Sequence, residues 1–369
     1  MTPVRLAPLL TVVAAVIGIS AVVAPTPAAA APAPPSPSAP ATPEAPAPAT
    51  PEAPAPASPA EAAKPWRLSG DLAAHDPALV KGGAGKDWYV FATGVEGKGD
   101  GNIQIRSSPD GHKWTYQGTV WDQIPGWIKD AVPGVKNLWA PEVYQANGMY
   151  YLYYAASTWG KNTSVIGLAT NETLDPSDPA YEWVDRGEVI RSGPDDDYNA
   201  IDPGIIEDGA GTPWMAFGSY WSGIRMVQLD WPSGKRADPD EEPLRIADRK
   251  ASPNAIEAAF IVKNDGYYYL FTSWGQCCQG ADSDYKIVVG RSKKVTGPYV
   301  DRDGKKLLDG GGTTVRVNEG NRVGPGGQSV SDDIIAYHYY DKSANGATRL
   351  ALQPLVWDDD GWPELQNRD

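Results

Sequence analysis

Three acidic residues, Asp76, Asp202 and Glu257, stand at the openings of three similar stretches of this 369-residue sequence. Two carboxyl groups on opposite sides of a glycosidic bond can cleave it, one as general acid and one as general base. A third carboxylate nearby raises the pKa of the acid by like-charge repulsion. Glu257 lies between apolar residues, where an ionised side chain is costly. The alternative for Asp76 and Asp202 is structural, because each precedes a proline and Asp-Pro is a common turn pair.

The acids are positioned by a repeat of short strands. Each opening segment leads into a run of aromatic and β-branched residues, which favours strands. The openings are 66 residues apart from Asp76 to Glu142, then 60 to Asp202 and 55 to Glu257, with a fifth unit starting near Gly324. Five units of several strands each predict an all-β fold, a five-bladed β-propeller, rather than a β-sandwich. The innermost strands of a propeller converge on one axis, so the three acids are expected to face a common cleft. The five runs are 88–91, 149–154, 214–217, 267–271 and 334–340.

Composition excludes several other classes. The chain has only 3 histidines and 2 adjacent cysteines, Cys277 and Cys278, too few for a Cys/His zinc cluster or a disulfide-stapled scaffold. Its net charge of −14 argues against nucleic acid as a partner, which requires a surplus of Lys and Arg. A neutral polymer such as a polysaccharide stays compatible with this charge.

The N-terminal region has the pattern of a targeting segment followed by a spacer. A basic residue, an apolar run and a small-residue cleavage region predict a signal peptide over 1–31, with a retained membrane anchor as the alternative. Residues 32–65 are rich in Pro and Ala, which favours an extended linker. Residues 66–369 are then one catalytic domain. We expect a secreted, extracellular protein that has no membrane segment after signal cleavage.

The ordered set of motifs resembles glycoside hydrolase family 43, and especially its arabinan-degrading members. The similarity covers residues 71–363. It implies a five-bladed propeller that hydrolyses α-1,5-linked L-arabinan with inversion. By this resemblance Asp76 is the general base, Glu257 the general acid, and Asp202 orients Glu257 and tunes its pKa. Inversion implies that the carboxyl groups of Asp76 and Glu257 lie roughly 6.5–9.5 Å apart. The matching motifs are His75-Asp76-Pro77-Ala78, Trp139-Ala140-Pro141-Glu142, Asn199-Ala200-Ile201-Asp202-Pro203, Asn254-Ala255-Ile256-Glu257-Ala258, Phe217–Gly223, Cys277–Gly280, Tyr285–Ser292 and Thr296–Asp301.

Further residues are candidates for substrate contact. Aromatic faces suit the C–H surfaces of sugars, although tryptophans also pack between propeller blades. The two cysteines either form a vicinal disulfide or stay free, and a role in the cleft wall is favoured over redox chemistry. The substrate-binding candidates are His75, Trp139, Trp159, Asn199, Ser219, Trp221 and Cys277.

One position departs from the family pattern. Arabinanases usually have Gly-Pro-Gly-His in the fifth unit, with the histidine helping to hold an ion or water on the axis. Here Gly327 replaces that histidine, and His338, in the following strand, is not expected to be its equivalent. The replacement argues against a structural calcium or another ion on the axis, with Gln328 or water in the place of the histidine as the alternative that would keep one. We expect no cofactor to be required for the chemistry.

The sequence therefore predicts a secreted, monomeric, endo-acting arabinanase that acts on arabinan and arabino-oligosaccharides. An exo-acting arabinanase or α-L-arabinofuranosidase on the same fold is the alternative. Exo action requires one end of the groove to be blocked, for which the segments 123–136 and 310–323 are candidates. A β-xylosidase is disfavoured by the region around Cys277. Outside the enzymes, a non-catalytic carbohydrate-binding propeller does not require all three acids to be present.

Overall fold

A computed structural model describes residues 67–366 of the chain. The predicted signal peptide (1–31) and linker (32–65) lie outside the described residues, as do residues 66 and 367–369. The strands form five sheets, each built from one continuous stretch of the sequence. The predicted five-bladed β-propeller is confirmed, and each predicted aromatic run lies in the second strand of its blade, counted outward from the axis.

The strand bounds follow the repeat. The first blade contains β1 (Ser69–Gly70), β2 (Ala78–Val80), β3 (Trp88–Ala92), β4 (Gln104–Ser108) and β5 (Lys113–Thr119). The second contains β6 (Leu138–Ala146), β7 (Met149–Ala156), β8 (Ser164–Asn171) and β9 (Val184–Ser192). The third contains β10 (Gly204–Glu207), β11 (Pro213–Phe217), β12 (Ile224–Asp230), β13 (Lys235–Arg236) and β14 (Leu244–Ala247). The fourth contains β15 (Ile256–Asn264), β16 (Tyr267–Trp274), β17 (Lys286–Ser292) and β18 (Thr313–Arg316). The fifth contains β19 (Arg322–Ser331), β20 (Ile334–Asp341), β21 (Ala347–Trp357) and β22 (Pro363–Leu365).

Neighbouring strands of a blade are antiparallel, except that β1 pairs in parallel with β5. The described part of the chain has one α-helix, α1 (Gly126–Ala131), between the first two blades. Short 3-10 turns occur at Gly99–Gly101, Gly280–Asp282, Leu307–Asp309 and Lys342–Ala344. Within residues 67–366, no helix has the length and apolar character needed to cross a membrane.

The buried apolar side chains fall into five clusters, and each cluster fills one interface between neighbouring blades. Phe91 and Leu152, for example, meet between the first and second blades, and Phe271 and Tyr337 between the fourth and fifth. Burial of a large apolar side chain contributes about 1.5–3 kcal/mol, so every blade is stabilised mainly by its two neighbours. The ring of interfaces therefore fixes the position of each inner strand relative to the axis.

The first and last blades join without exchanging a strand. Ser329 Oγ accepts from the Leu79 amide at 3.0 Å and donates to the Pro77 carbonyl at 2.6 Å. Ser331 Oγ accepts from the Lys81 amide at 3.0 Å. These bonds place β19 along β2, so the fifth blade helps to position the segment that carries Asp76.

Each inner strand has a left-handed residue that lines the axial cavity, either within the strand or two residues before it. Residues other than glycine rarely adopt positive φ, although Asp tolerates it better than most. In three blades a register shift in the pairing with the second strand surrounds this residue, as a β-bulge does. The left-handed residues are Asp76 (φ 49°), Ala140 (φ 40°), Asp202 (φ 57°), Ala258 (φ 54°) and Gly327 (φ 59°).

This series corrects the predicted alignment of the acids. Asp76 and Asp202 are equivalent, but Glu257 lies one residue before the left-handed Ala258 and is therefore equivalent to His75. Glu142 lies two residues after the left-handed Ala140. The alignment by acidic residues was wrong because no residue pattern in the sequence indicates the bulge. Relative to the left-handed residues, the acids Glu257 and Glu142 are shifted by one and two positions.

Candidate active site

Asp76 lies at the start of the first blade and is surrounded by hydrogen-bond donors. Its Oδ2 accepts from His75 Nδ1 at 2.7 Å and from Thr93 Oγ1 at 2.6 Å. Its amide donates to Nδ1 of His338 at 3.1 Å. The side chain keeps 19% of its surface exposed toward the cleft. The carboxylate is thus held in a fixed orientation while one edge stays accessible to a water molecule.

These neighbours determine the protonation of Asp76. Burial raises its pKa, but the charge and hydrogen bond of His75 and the hydrogen bond from Thr93 act the other way. Together they bring the pKa well below its usual range. Asp76 is therefore ionised at neutral pH, as a general base must be.

Glu257 and Asp202 lie together at the third and fourth blades. Glu257 is 8% exposed, and its Oε2 accepts from Ser219 Oγ at 2.5 Å. Its Oε1 accepts from the hydroxyl of Tyr285. Asp202 Oδ2 accepts from the Ala258 amide at 2.9 Å, one residue after Glu257. Asp202 therefore anchors the backbone that carries Glu257.

The pKa values of this pair move in the direction opposite to that of Asp76. Burial raises the pKa of Asp202 well above its usual range, and the charges of Glu257 and Asp76 raise it further. Burial also raises the pKa of Glu257, against the bonds from Ser219 and Tyr285. Interacting carboxyl groups titrate as a pair, so the two acids together retain a proton to higher pH than either would alone. This is the requirement for a general acid near neutral pH.

Side chains of one blade also bind the left-handed amides of the next. A bulge removes an amide from the strand ladder, and a buried amide requires another acceptor. Thr93 Oγ1 accepts from the Ala140 amide at 2.9 Å, and Ser273 Oγ from the Gly327 amide at 3.0 Å. Asp202 and His338 accept in the same way from Ala258 and Asp76. The acids are therefore linked around the axis through the backbone as well as through their charges.

His338, which the sequence analysis did not expect to be the equivalent of the missing histidine, lies directly beside Gly327. A Cβ on Gly327 would lie 2.4 Å from Asp76 Oδ1 and 2.8 Å from His338 Nδ1. The imidazole of His338 thus occupies the space into which a side chain at 327 would project. It reaches this space because β19 and β20 pair Gly326 with His338. Pairing across strands, which a linear motif does not contain, brings the histidine to the axis.

Several site residues were missed by the sequence analysis. Thr93 and Tyr340 carry no motif, and Tyr285 was noted only as the start of a matching stretch. Glu142 was counted in the repeat but given no role. It is 5% exposed, lines the axial cavity with Asp76 and Asp202, and has its pKa raised well above the usual range by burial. Its place beside a proline in the second opening segment is the one signal that was available.

The substrate-binding candidates lie at the cleft end of the blades but in different settings. His75 and Ser219 contact Asp76 and Glu257 directly. Trp139 and Trp159, the candidates of the second blade, lie at this end because β7 ends and β8 begins there. Trp159 is 75% exposed in the loop between them, and Trp139, at the start of β6, is half-buried.

Three further candidates complete this end. Trp221 is 40% exposed and follows Tyr220 in a turn where both residues have positive φ. Asn199 is buried, and its Oδ1 accepts from Ser164 Oγ at 2.6 Å, which fits a role in holding the loop before Asp202. Cys277 forms a disulfide with Cys278, so of the two states left open by the sequence the structure has the vicinal disulfide. Contact of these candidates with substrate stays a prediction.

The described residues do not fit a calcium site. His75, Asp76 and His338 lie close enough to share an ion, but their facing atoms hydrogen-bond one another. Calcium takes six to eight oxygen ligands, and this group has a single carboxyl group. The second cluster consists of His75 and the two cysteines, whose sulfur atoms are joined to each other.

A propeller that lowers the pKa of one carboxyl group and raises those of a buried carboxyl pair at one cleft has the architecture and the acid–base groups of a glycoside hydrolase. The chain belongs to the glycosyl hydrolases family 43, whose family model matches residues 70–363. The resemblance stated from the motifs is confirmed.

Individual relatives cover most of the domain. An extracellular endo-α-(1→5)-L-arabinanase of Bacillus subtilis is 42% identical over 82% of this chain and 90% of its own length. An extracellular exo-α-(1→5)-L-arabinofuranosidase of Cellvibrio japonicus is 40% identical over 80% of this chain and 87% of its own. The solved structure of an endo-arabinanase from Bacillus licheniformis superposes with a TM-score of 0.75 at 40% identity, covering 81% of this chain and 99% of that one. The similar proteins thus include both endo-acting and exo-acting enzymes.

Proposed function

We propose that this protein hydrolyses α-1,5-L-arabinofuranosidic bonds in arabinan and arabino-oligosaccharides with inversion at the anomeric carbon. The observation that carries the proposal is the opposite protonation of two carboxyl groups in one cleft. A histidine and a threonine hydroxyl lower the pKa of Asp76, whereas burial raises the pKa values of Glu257 and Asp202, so this pair retains a proton to higher pH. The names of the similar proteins supply the sugar and the linkage.

In the proposed reaction, Asp76 accepts a proton from a water molecule while the water oxygen attacks the anomeric carbon. Glu257 donates its proton to the leaving glycosidic oxygen as the carbon–oxygen bond breaks. Ser219 and Tyr285 bind the two oxygens of Glu257 and stabilise the carboxylate that remains. Asp202 holds the Ala258 amide and thereby the backbone beside the acid. After the products leave, Asp76 releases the proton taken from water to solvent, and Glu257 takes up a proton from solvent.

Endo action is favoured by the anchoring of the two segments that were candidates for blocking the groove. In the segment 123–136, Trp127 Nε1 donates to Asp185 Oδ2 at 2.8 Å, and Asp185 lies on β9, the outermost strand of the second blade. In the segment 310–323, residues 313–316 form β18, the outermost strand of the fourth blade. Both segments are thus anchored at the blade edges, which supports a groove that is open at both ends.

Exo action is the second candidate, because an exo-acting relative is about as similar to this chain as the endo-acting one. The loop 317–321 and the exposed Trp159 lie at the cleft end and are the parts able to close one side of the groove.

We also propose that the chain is exported, as the names of the two relatives and the N-terminal pattern support. It acts as a monomer, since one chain supplies every group used above.

A time course on debranched linear arabinan tests this function, with products separated by size and viscosity measured in parallel. Mixed oligosaccharides and a fast fall in viscosity are expected for endo cleavage. One short product at nearly constant viscosity would replace the endo assignment by the exo one. Binding without any product would overturn the enzymatic proposal in favour of a carbohydrate-binding propeller. Proton NMR of the first product distinguishes inversion from retention.

A further inference from the structure

A chain of hydrogen bonds connects the vicinal disulfide to the proposed base. The amide of Cys278 donates to the hydroxyl oxygen of Tyr340 at 2.7 Å. The same hydroxyl lies 2.7 Å from His75 Nε2, and His75 Nδ1 lies 2.7 Å from Asp76 Oδ2. The Sγ atom of Cys278 lies 3.7 Å from His75 Nε2. Four residues from three blades are thus joined in one line that ends at the carboxylate.

This line orients the imidazole of His75. An ionised carboxylate only accepts hydrogen bonds, so Nδ1 carries the proton that faces Asp76. Nε2 then depends on Tyr340, whose hydroxyl donates to a neutral ring and accepts from a charged one. In both states the Tyr340 hydroxyl binds Nε2 and thereby keeps Nδ1–H pointed at Asp76. In many catalytic histidines the hydrogen bond of one ring nitrogen orients the other in the same way.

We propose that Tyr340 and the Cys277–Cys278 disulfide form a positioning element for the general base, acting on Asp76 through His75. This inference rests on the proposed function, in which Asp76 is the base. Tyr340 and the cysteines are positioning residues here, because none of them touches the reacting atoms in this line of bonds.

The disulfide matters because it fixes the amide at the start of the line. Cys278 has φ 68°, a conformation that L-residues rarely adopt, and the ring closed by the two sulfurs restricts the peptide between them. Opening of the ring frees Cys278 to relax, which turns its amide away from Tyr340. Cys278 is exposed and Cys277 half-buried, so a small dithiol reaches them from the cleft.

Reduction is the direct test of the disulfide. A dithiol transfers two electrons and two protons, the sulfur–sulfur bond breaks, two thiols form, and the dithiol becomes a cyclic disulfide. The chain has only these 2 cysteines, so a thiol titration counts the reduced fraction directly. We expect kcat on linear arabinan to fall about tenfold with two thiols per chain and to recover on reoxidation.

The double variant Cys277→Ser/Cys278→Ser is the matched control. It should show the low kcat of the reduced enzyme and no response to dithiol. The role of the disulfide would be overturned if the reduced protein, with two titrated thiols, kept full activity. It would also be overturned if adding dithiol lowered the activity of the double variant by the same factor.

Tyr340→Phe tests the hydroxyl, with Tyr339→Phe as control because it makes the same change one residue away. The groups that face Asp76 are His75, Thr93 and His338, with the charges of Asp202 and Glu257 beyond them. Loss of the His75 orientation removes a bond that lowers the pKa of Asp76. The acid limb of kcat/KM should therefore move to higher pH by about one unit, with kcat about tenfold lower and KM nearly unchanged.

A merely structural role of Tyr340 would lower the melting temperature without moving the acid limb. An unmoved limb in Tyr340→Phe, with Tyr339→Phe behaving like the unmodified protein, contradicts the inference even where activity falls. If the unmodified protein does not hydrolyse arabinan at all, the proposed function itself fails, and that outcome is recognised before any variant is measured.

Discussion

The two sides of the cleft use similar carboxyl groups in opposite ways. On the side of the first and fifth blades, Asp76 has two imidazoles and a hydroxyl within reach, and its pKa falls. On the side of the third and fourth blades, no cationic side chain bonds Asp202 or Glu257 in the described residues, and burial raises both pKa values. The difference shows that the division into base and acid depends on the neighbours of each carboxyl group rather than on the carboxyl group itself.

The largest effects are expected when either side of the cleft loses its catalytic carboxyl group. Glu257→Gln should lower kcat on arabinan by about 10³–10⁴-fold, because the leaving oxygen receives no proton. Asp76→Asn should cost a similar factor, because water is no longer activated. An aryl arabinofuranoside with an acidic phenol as leaving group separates the two, since it requires no protonation.

The comparison of substrates sharpens the assignment. Glu257→Gln should recover most of its rate on the activated substrate, whereas Asp76→Asn should stay impaired on both. The pattern is read from kcat of each variant on each substrate, with the unmodified protein as reference. A reversed pattern would exchange the roles of the two acids.

The next largest effect is expected for Asp202→Asn, about 100-fold in kcat. Asparagine keeps an oxygen for the Ala258 amide but removes the charge that couples to Glu257. Without this charge the pKa of Glu257 falls, and the basic limb of kcat/KM moves to lower pH. A pH–rate profile measures the shift, and a basic limb that stays in place would show that Asp202 acts only through the backbone.

A smaller effect is expected on the other side for Thr93→Val. The hydroxyl donates to Asp76 and accepts from the Ala140 amide, and valine has nearly the same shape. Loss of the donor raises the pKa of Asp76, so the acid limb moves to higher pH and kcat falls about tenfold. Thr93→Ser should restore both. The idea fails if serine and valine behave alike.

The smallest effect concerns stability, and its sign differs between the two sides. A carboxyl group with a raised folded pKa destabilises the protein as pH rises above the unfolded value, whereas a lowered pKa stabilises it there. At pH 7, Glu257→Gln should therefore raise the melting temperature by about 2 °C and Asp76→Asn should lower it by a similar amount. The gain for Glu257→Gln should vanish near pH 4, where its carboxyl group is protonated in both states.

Calorimetry at pH 7 and pH 4 measures both variants against the unmodified protein. A melting temperature that falls in both variants by the same amount at both pH values would mean that packing, and not charge, accounts for the change. In that case the electrostatic contrast between the two sides of the cleft would lose its support.

Much of this protein follows from its sequence. The aromatic runs predicted the second strand of every blade, because strand formers between turn residues specify local structure. The buried setting of Glu257 was visible from its apolar neighbours, and it is 8% exposed. Asp76, Asp202 and Glu257 were found because residues at the openings of inner strands must meet at an axis. These features depend on residues close together in the chain.

Only the tertiary structure decided how those residues divide the chemistry. The left-handed residue of each inner strand shifts the register, so Glu257 aligns with His75 and not with Asp76. His338 reaches the space before Gly327 by pairing across strands, and Tyr340 reaches His75 across 265 residues of sequence. A hydrogen bond or a pKa depends on distances of a few ångströms. The packing of five blades around one axis sets those distances, which no single stretch of the sequence contains.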